Sequence, residues 1–449
     1  MSRAGTTLGL PEDWDVYPGA WSSRRRFEAG QICAVDSISK CLERIEVLDG
    51  EIRAFTHVAR DEARAAARVV DRTAQTKGPG ACGPLAGIPV AFKDNFDTAD
   101  MPAGLGCDRY RERRPARDAA AVAMVRDAGG VVLGKTVTTE FAHRHPGPTR
   151  NPRRPDHTPG GSSSGSAAAV AAGMVPIAFG SQTTGSVIRP AAYCGVIGYK
   201  PTWGQFSTAG MLANAPSFDT VGVFSRALED LVLVRRALLD ESVPALSVPG
   251  LGEARVGIVK TPFWERAGDD AKAFLEAGRR MLAEAGASVS HFDEGRLSIE
   301  VEEANRIVAG YEFARVLAHE RRVALDALSP VLREGRMRDG LKIPYSAYIA
   351  AERRLEAARI ELDRRFSEFD FLISLSARDT APEGLGSTGT AEFNMLWTTL
   401  HVPVVTLPIG RASNGLPLGL QMAGARYEDD RLLGAAKSVM DRVRELAAT

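Results

Sequence analysis

Two short serine-bearing segments, GSSSG at 161–165 and TTGS at 183–186, contain hydroxyls that could act in catalysis. GSSSG matches the G-x-S-x-G nucleophile-elbow pattern with Ser163 at its centre. An elbow serine follows an apolar strand directly, because a strained strand-to-helix turn exposes its hydroxyl. The preceding residues, TRNPRRPDHTPG, are rich in proline and arginine and cannot form a central strand. The elbow interpretation of Ser163 therefore fails.

A serine nucleophile needs a base, and three lysines are placed to serve as one. Lys93, Lys135 and Lys200 each end an apolar run. Burial at such a position disfavours the charged form, and lowering a lysine pKa by ~3 units from its usual ~10.4 costs about 4 kcal/mol. Spacing alone does not choose among the three lysines. Each could instead be a strand-end lysine whose ammonium group reaches solvent.

The segments around the serines predict how they are held. GSAAAVAAG after GGSSS is a strong helix pattern, and VPIAFGS at 175–181 is a strand that runs into the second serine turn. Pro190 suits the first turn of the helix that follows. The two turns lie at opposite ends of a helix–strand hairpin and could converge in space. The alternative is that these serines are only helix caps and turn residues.

Short apolar runs alternate with helical patterns along most of the chain, which predicts an α/β fold. The runs are continuous, as expected for strands covered by helices on both faces of a sheet. Residues 36–75 have a helical pattern, and the Gly/Pro-rich segment 77–87 follows them. We therefore expect an N-terminal helical arm over residues 1–76 that packs on a single α/β domain over residues 77–449.

The composition argues against several classes of partner. The chain has 449 residues with 56 basic and 56 acidic side chains, so no overall field attracts nucleic acid. The N-terminus lacks a secretory signal, and no apolar run is long enough to span a membrane. Five cysteines form no C-x-x-C pair, which predicts reduced thiols, a cytoplasmic location and no structural metal.

A long segment carries a family resemblance. The run GGSSSGSAAAVAAGMVPIAFGSQTTGSVIRPAAYCGVIGYKPTWG at 160–204 resembles the amidase signature sequence. PLAGIPVAFKDNFDT at 84–98 resembles the lysine segment of that family, and GLPLGLQMAG resembles its closing strand. Within the family, SVIRPAAYCG is similar to the malonamidases. The resemblance implies one large mixed β-sheet covered by helices.

The resemblance also implies a Ser–cis-Ser–Lys triad that forms an acyl-enzyme and needs no cofactor. By motif, Ser186 is the nucleophile, Ser162 is the bridging serine in a cis peptide, and Lys93 is the base. The backbone amides of Thr183, Thr184, Gly185 and Ser186 would then form the oxyanion hole. In this interpretation Ser163 is a neighbouring structural hydroxyl.

Similarities over shorter stretches of sequence predict which residues contact the substrate. Arg189 matches the malonamidase arginine that binds the substrate carboxylate, or it could be structural. The family pattern T-D-T-G-G-S is S-Q-T-T-G-S here, with Gln182 in place of the acid and Thr184 in place of a glycine, and we expect Gln182 to bind the substrate. His401 stands where relatives commonly have glycine, so it could line the pocket or fill space.

We expect a homodimer acting on a small acid amide such as malonamate. The alternatives are an amidase for aryl or acyl amides or hydrazides, or the A subunit of a tRNA-dependent amidotransferase. These alternatives differ in whether the chain acts alone and whether its substrate carries a charge.

Overall fold

Buried apolar runs form a mixed β-sheet of twelve strands at the centre of the molecule. The structure is a computed structural model that describes residues 5–240, 242, 245–295 and 297–448. The strands are β1 (Thr7–Leu8), β2 (Phe55–Val58), β3 (Pro89–Lys93), β4 (Val131–Thr136), β5 (Ile177–Gln182), β6 (Ile197–Lys200), β7 (Thr220–Ser225), β8 (Arg255–Ile258), β9 (Ser288–His291), β10 (Phe371–Leu375), β11 (Val404–Arg411) and β12 (Pro417–Ala423).

The order across the sheet is β2-β4-β3-β5-β7-β6-β11-β12-β10-β8-β9, and β1 pairs with β11. β3 runs parallel to both of its neighbours, β4 and β5. β7 is antiparallel to β5 and to β6. Because neighbouring parallel strands finish at the same edge, the last residues of β3 and β5 lie side by side.

Fourteen α-helices are present in the described part of the chain. They are α1 (Ala20–Glu28), α2 (Ala34–Ile52), α3 (Arg60–Lys77), α4 (Ala120–Asp127), α5 (Ser164–Ala171), α6 (Ile188–Cys194), α7 (Leu228–Leu239), α8 (Asp269–Glu284), α9 (Leu297–Val316), α10 (Ala318–Val323), α11 (Met337–Leu341), α12 (Tyr345–Arg365), α13 (Glu392–Thr399) and α14 (Asp429–Ala448). None of these described helices combines the length and the apolar character needed to cross a lipid bilayer.

Helices cover both faces of the sheet, and β3 shows how the sequence achieves this. Val90 and Phe92 belong to one apolar core, together with side chains of α4, α7, α8 and α14. Ala91 belongs to a second core, which contains side chains of α2, α3 and α5. Successive strand residues point to opposite faces, so a continuous apolar run supplies both cores. The predicted α/β fold with helices on both faces is confirmed.

The N-terminal residues also contribute to the sheet, in addition to helices. The segment 36–75, predicted to be helical throughout, contains α2, then β2, then α3. FTHV in β2 pairs antiparallel with β4 at the sheet edge. The helical prediction was wrong there because four residues are too few to show a period, and the unpaired edge of β4 supplied the partner.

Gly165, in the first turn of α5, allows this helix to approach the sheet closely. A Cβ atom at Gly165 would lie 2.2 Å from the carbonyl oxygen of Ala54 and 2.4 Å from the amide nitrogen of Val137. Both neighbours are backbone atoms that cannot rotate away. The missing side chain therefore sets the position of the helix start, which carries the serine cluster.

We expect Gly165→Ala to destabilise the protein by about 1–3 kcal/mol, because the added methyl group forces backbone apart. Gly50, in the exposed part of α2, has open space around its Cα. As a matched control, Gly50→Ala should stabilise the protein by about 0.5–1 kcal/mol. Urea denaturation of the two variants measures both effects. Equal stability of the two variants would contradict the packing argument.

Candidate active site

The carboxyl ends of β3 and β5 and the amino end of α5 meet at one edge of the sheet. Lys93 is the last residue of β3, and Ser181 is the penultimate residue of β5. Ser162 lies two residues before α5 begins. The parallel register of β3 and β5 brings the lysine and Ser181 together, and α5 brings Ser162 above them.

Lys93 has no solvent-exposed surface, and its Nζ lies between two hydroxyl groups. The Nζ–Oγ distances are 2.7 Å to Ser162 and 2.8 Å to Ser181. Asn95 donates a further hydrogen bond from Nδ2 to Ser181 Oγ, at 3.0 Å. Burial lowers the pKa of Lys93 to about 7, while the negative charge of Asp219 acts in the opposite direction. A neutral amine at this position can accept a proton from Ser162.

The other two candidate lysines make different contacts. Lys135 Nζ donates to the Phe96 carbonyl at 2.6 Å and lies 3.4 Å from an Asp94 carboxylate oxygen. Lys200 Nζ donates to the Pro201 carbonyl at 2.8 Å. Burial lowers the pKa of Lys200 to about 7 as well, so pKa does not separate it from Lys93. Contact with a serine hydroxyl does separate them.

The serines divide into different environments. The Gly161–Ser162 peptide bond is cis, and Ser162 is buried. Ser163 is fully buried, and its hydroxyl bridges the amide and carbonyl groups of Ser181, both at 3.3 Å. Ser186 is only half-buried, and its carbonyl accepts a long 3.4 Å hydrogen bond from the Ser163 amide. Ser163 thus joins helix to strand, whereas Ser186 is accessible.

The turn between β5 and α6 presents unpaired backbone amides. The N–H groups of residues 183–186 have no hydrogen-bond partner among the residues that the structure describes. The next two amides, of Val187 and Ile188, donate to Gln182 Oε1 at 2.8 and 3.0 Å. An anionic oxygen placed beside Ser186 would meet these unpaired donors.

Gln182 holds this turn at both of its ends. Its Nε2 donates to Thr398 Oγ1 at 2.8 Å, and that hydroxyl donates to the Thr184 carbonyl at 2.8 Å. With its acceptor and its donor both engaged within the protein, Gln182 braces the turn. These contacts do not support its predicted place among the substrate-binding residues.

Arg189 is buried beside the cis peptide, without an acidic partner. Its Nη2 donates to the Gly161 carbonyl at 2.5 Å and lies 3.4 Å from Thr388 Oγ1. Its Nε is buried with no hydrogen-bond acceptor, and no carboxylate among the described residues pairs with it. Burial lowers its pKa to about 10, and the nearby charge of Arg144 adds to the effect. The guanidinium remains cationic at neutral pH.

His401 packs against the protein instead of opening toward the serines. Its ring stacks on Trp203 with centroids 4.4 Å apart, and its Nε2 lies 2.8 Å from the Ser217 carbonyl oxygen. Its φ of 66° is in the left-handed region that favours glycine. Of the two alternatives from the sequence, filling space fits these contacts, and the expectation of a substrate contact is not supported.

Sequence reasoning missed four residues that contact the predicted site. Ser181 and Asn95 lie close in sequence to Ser186 and Lys93, so proximity was an available signal for them. Asp219 and Thr398 lie far away in the chain, and only strand register and helix packing bring them to the turn. Among the described residues, no cluster of His, Cys, Asp or Glu side chains could hold a metal ion.

A buried lysine contacts a serine hydroxyl beside a turn with free backbone amides. Serine-dependent acyl transfer in an α/β enzyme needs this arrangement. The Amidase family model matches residues 36–433, and the chain belongs to this family of enzymes, which hydrolyse C–N amide bonds. A full-length relative is the A subunit of the glutamyl-tRNA(Gln) amidotransferase of Salinibacter ruber. It is 31% identical, over 95% of this chain and all of that protein.

Solved structures agree with this assignment. An amidase superposes with a TM-score of 0.85 and 28% identity, covering 94% of this chain and 99% of that one. A peptide amidase in complex with the competitive inhibitor chymostatin has a TM-score of 0.81 and 29% identity, covering 95% and 97%. The similarity spans nearly the whole chain in both cases, so the large mixed sheet and its helices belong to one shared fold.

We expect Gln182→Leu to destabilise the protein by about 1–3 kcal/mol, because it leaves the buried amides of Val187 and Ile188 without an acceptor. Gln75 is exposed on α3, so Gln75→Leu is the control and should change stability by less than about 0.5 kcal/mol. Thermal denaturation compares the two. A Gln182→Leu protein as stable as the control would show that the brace is dispensable.

Proposed function

We propose that the protein hydrolyses a small carboxylic amide, with Ser186 as nucleophile, Ser162 as bridge and Lys93 as base. The observation that carries this proposal is the 2.7 Å contact between the buried Lys93 Nζ and Ser162 Oγ. The unpaired amides next to the accessible Ser186 support it. No other described lysine contacts a hydroxyl in this turn region.

The chemistry follows from these positions. Neutral Lys93 takes the proton of Ser162 while Ser162 takes the proton of Ser186, and Ser186 Oγ bonds to the amide carbon. The oxyanion of the tetrahedral intermediate accepts hydrogen bonds from the amides of Thr183, Thr184, Gly185 and Ser186. The proton returns along the relay to the leaving nitrogen, the C–N bond breaks, and ammonia or an amine departs. Water then cleaves the acyl-enzyme to the acid by the same relay.

The substrate of this proposal carries a carboxylate. A buried cation without a protein carboxylate is costly, and an anionic ligand would offset that cost. Arg189 is such a cation, with an unpaired Nε, three residues after the proposed nucleophile. This agrees with the likeness of SVIRPAAYCG to the malonamidases, so malonamate represents the class. Aryl and acyl amides or hydrazides are the alternative if Arg189 serves only to hold the Gly161 carbonyl.

A second candidate is the A subunit of a tRNA-dependent amidotransferase. It is favoured by the full-length similarity to the Salinibacter protein. That function requires partner subunits, whereas the first requires only this chain, as a homodimer in the cytoplasm. Hydrolysis of a panel of acid amides, neutral amides and hydrazides by the purified chain distinguishes them, with released ammonia measured for the primary amides and released hydrazine for the hydrazides. Inactivity on the whole panel would favour the second candidate.

We expect kcat/KM for amide hydrolysis to rise with pH and level off above an apparent pKa of about 7, because Lys93 must be neutral. Lys93→Ala should lower kcat by several orders of magnitude. Lys200→Ala is the matched control, since Lys200 is equally buried with a similarly lowered pKa. If the control loses as much activity while remaining folded, Lys93 is not the base.

We expect Arg189→Lys to lower kcat/KM for malonamate, because lysine cannot reproduce the two parallel hydrogen bonds of a guanidinium group. The loss of transition-state stabilisation should be about 1.5–3 kcal/mol. A neutral amide of similar size should be affected far less. The ratio of the two losses is the measured quantity, since damage to the turn depresses both substrates alike. Equal losses would make Arg189 structural and favour a neutral substrate.

A further inference from the structure

Asp219 lies directly across from Thr183, the first residue of the amide-bearing turn. β5 and β7 are antiparallel, and Gln182 pairs with Thr220 at the end of their ladder. Continuing this register by one residue places Asp219 opposite Thr183. The strand register therefore places the Asp219 carboxylate at the start of the turn.

The Asp219 carboxylate is buried and has a hydrogen-bond donor on each oxygen. Oδ1 accepts from Thr183 Oγ1 at 2.5 Å. Oδ2 accepts from the backbone amides of Asn214 and Ala215 at 2.6 and 3.0 Å. The side chain thus ties the turn after β5 to the turn before β7. None of these bonds belongs to the Lys93–Ser162 relay, so the relay alone does not explain the residue.

Two cations act on Asp219 from neighbouring elements. Lys93 on β3 is one: its Nζ lies 2.8 Å from Ser181 Oγ, two residues before Thr183, and the Asp219 charge opposes the lowering of the Lys93 pKa by burial. Arg336, from the segment between α10 and α11, is the other. Arg336 also donates to Asn214 Oδ1 at 3.2 Å, and Arg144 and Glu312 act on it in turn. Burial raises the pKa of Asp219 to about 6, so the carboxylate is charged at neutral pH.

We propose that Asp219 is a positioning residue that fixes Thr183 at the start of the oxyanion turn and sets the protonation of the Lys93 base through its charge. The inference rests on the proposed function and extends it to a residue outside the triad. The carboxylate favours the ammonium form of Lys93. Without it, the lysine would be neutral over a wider range of pH, yet the turn would lose its anchor.

These two roles predict separable effects. In Asp219→Asn the charge is lost, so the acid limb of kcat/KM against pH should move to lower pH by about one pH unit. The kcat value should fall roughly tenfold, less than the loss of a whole oxyanion donor. In Thr183→Val only the anchor is lost, so kcat should fall while the acid limb stays in place. Thr183→Ser keeps the hydroxyl and should restore kcat.

Asp94→Asn is the matched control for the charge. Asp94 is also a buried carboxylate and follows Lys93 in the chain, but it lies against Lys135. This variant should leave the acid limb where it is in the wild-type protein. A shift in Asp94→Asn as large as that in Asp219→Asn would overturn the assignment, because any buried carboxylate would then suffice.

The experiment uses the full chain and ammonia release from the best amide of the panel, with thermal denaturation of each variant. An unmoved acid limb in a folded Asp219→Asn protein overturns the proposal. If Asp219→Asn does not fold, the proposal is tested by the Thr183→Val and Thr183→Ser variants. A Thr183→Val protein with wild-type kcat then overturns it. A wild-type protein inactive on every amide contradicts the proposed function instead, which keeps the two failures apart.

Discussion

The proposed chemistry depends on one buried amine, that of Lys93. Lys93 lies at the end of β3 with no exposed surface, and among the described residues its Nζ has two hydroxyl groups at hydrogen-bond distance. Desolvation lowers its pKa to about 7, so its lone pair is available near neutral pH. A lysine at the surface would be protonated and unable to act as a base. The covering of both sheet faces by helices is therefore a condition of the proposed chemistry, not only of stability.

The surrounding elements position the groups that this amine can use. Parallel pairing of β3 and β5 brings their ends together, and Gly165 lets α5 approach closely enough to place Ser162 on Lys93. Beyond β5, Gln182 accepts hydrogen bonds from the amides of Val187 and Ile188, while the four preceding amides have no partner in the described part of the chain. Arg189, on the short helix α6 that follows this turn, adds a buried positive charge. Each feature lies within a short distance of the sheet edge, so one register error in β5 would displace several of them.

The sequence was sufficient for the fold class, and Lys93 and Ser162, which it singled out by motif, lie in contact. Continuous apolar runs predicted the two-faced sheet, and Pro and Arg before GSSSG correctly excluded a strand there. The short β2 was missed because its pairing is decided by β4, which lies well beyond it in the chain. The packing role of Gln182 was not recognised, and that of His401 was only one of two alternatives, because their partners, Thr398 and Trp203, are distant in sequence. Contacts made by tertiary packing leave no periodic signal in a single chain.

The most direct test of the account is to identify the serine that becomes covalently modified. The protein is treated with phenylmethylsulfonyl fluoride, which sulfonylates activated serines, and the modified peptide is located by mass spectrometry. We expect the label on Ser186, lost in Ser186→Ala and in Lys93→Ala but retained in Ser163→Ala. A label on Ser163, or one that survives Ser186→Ala at the wild-type rate, would contradict the proposed relay.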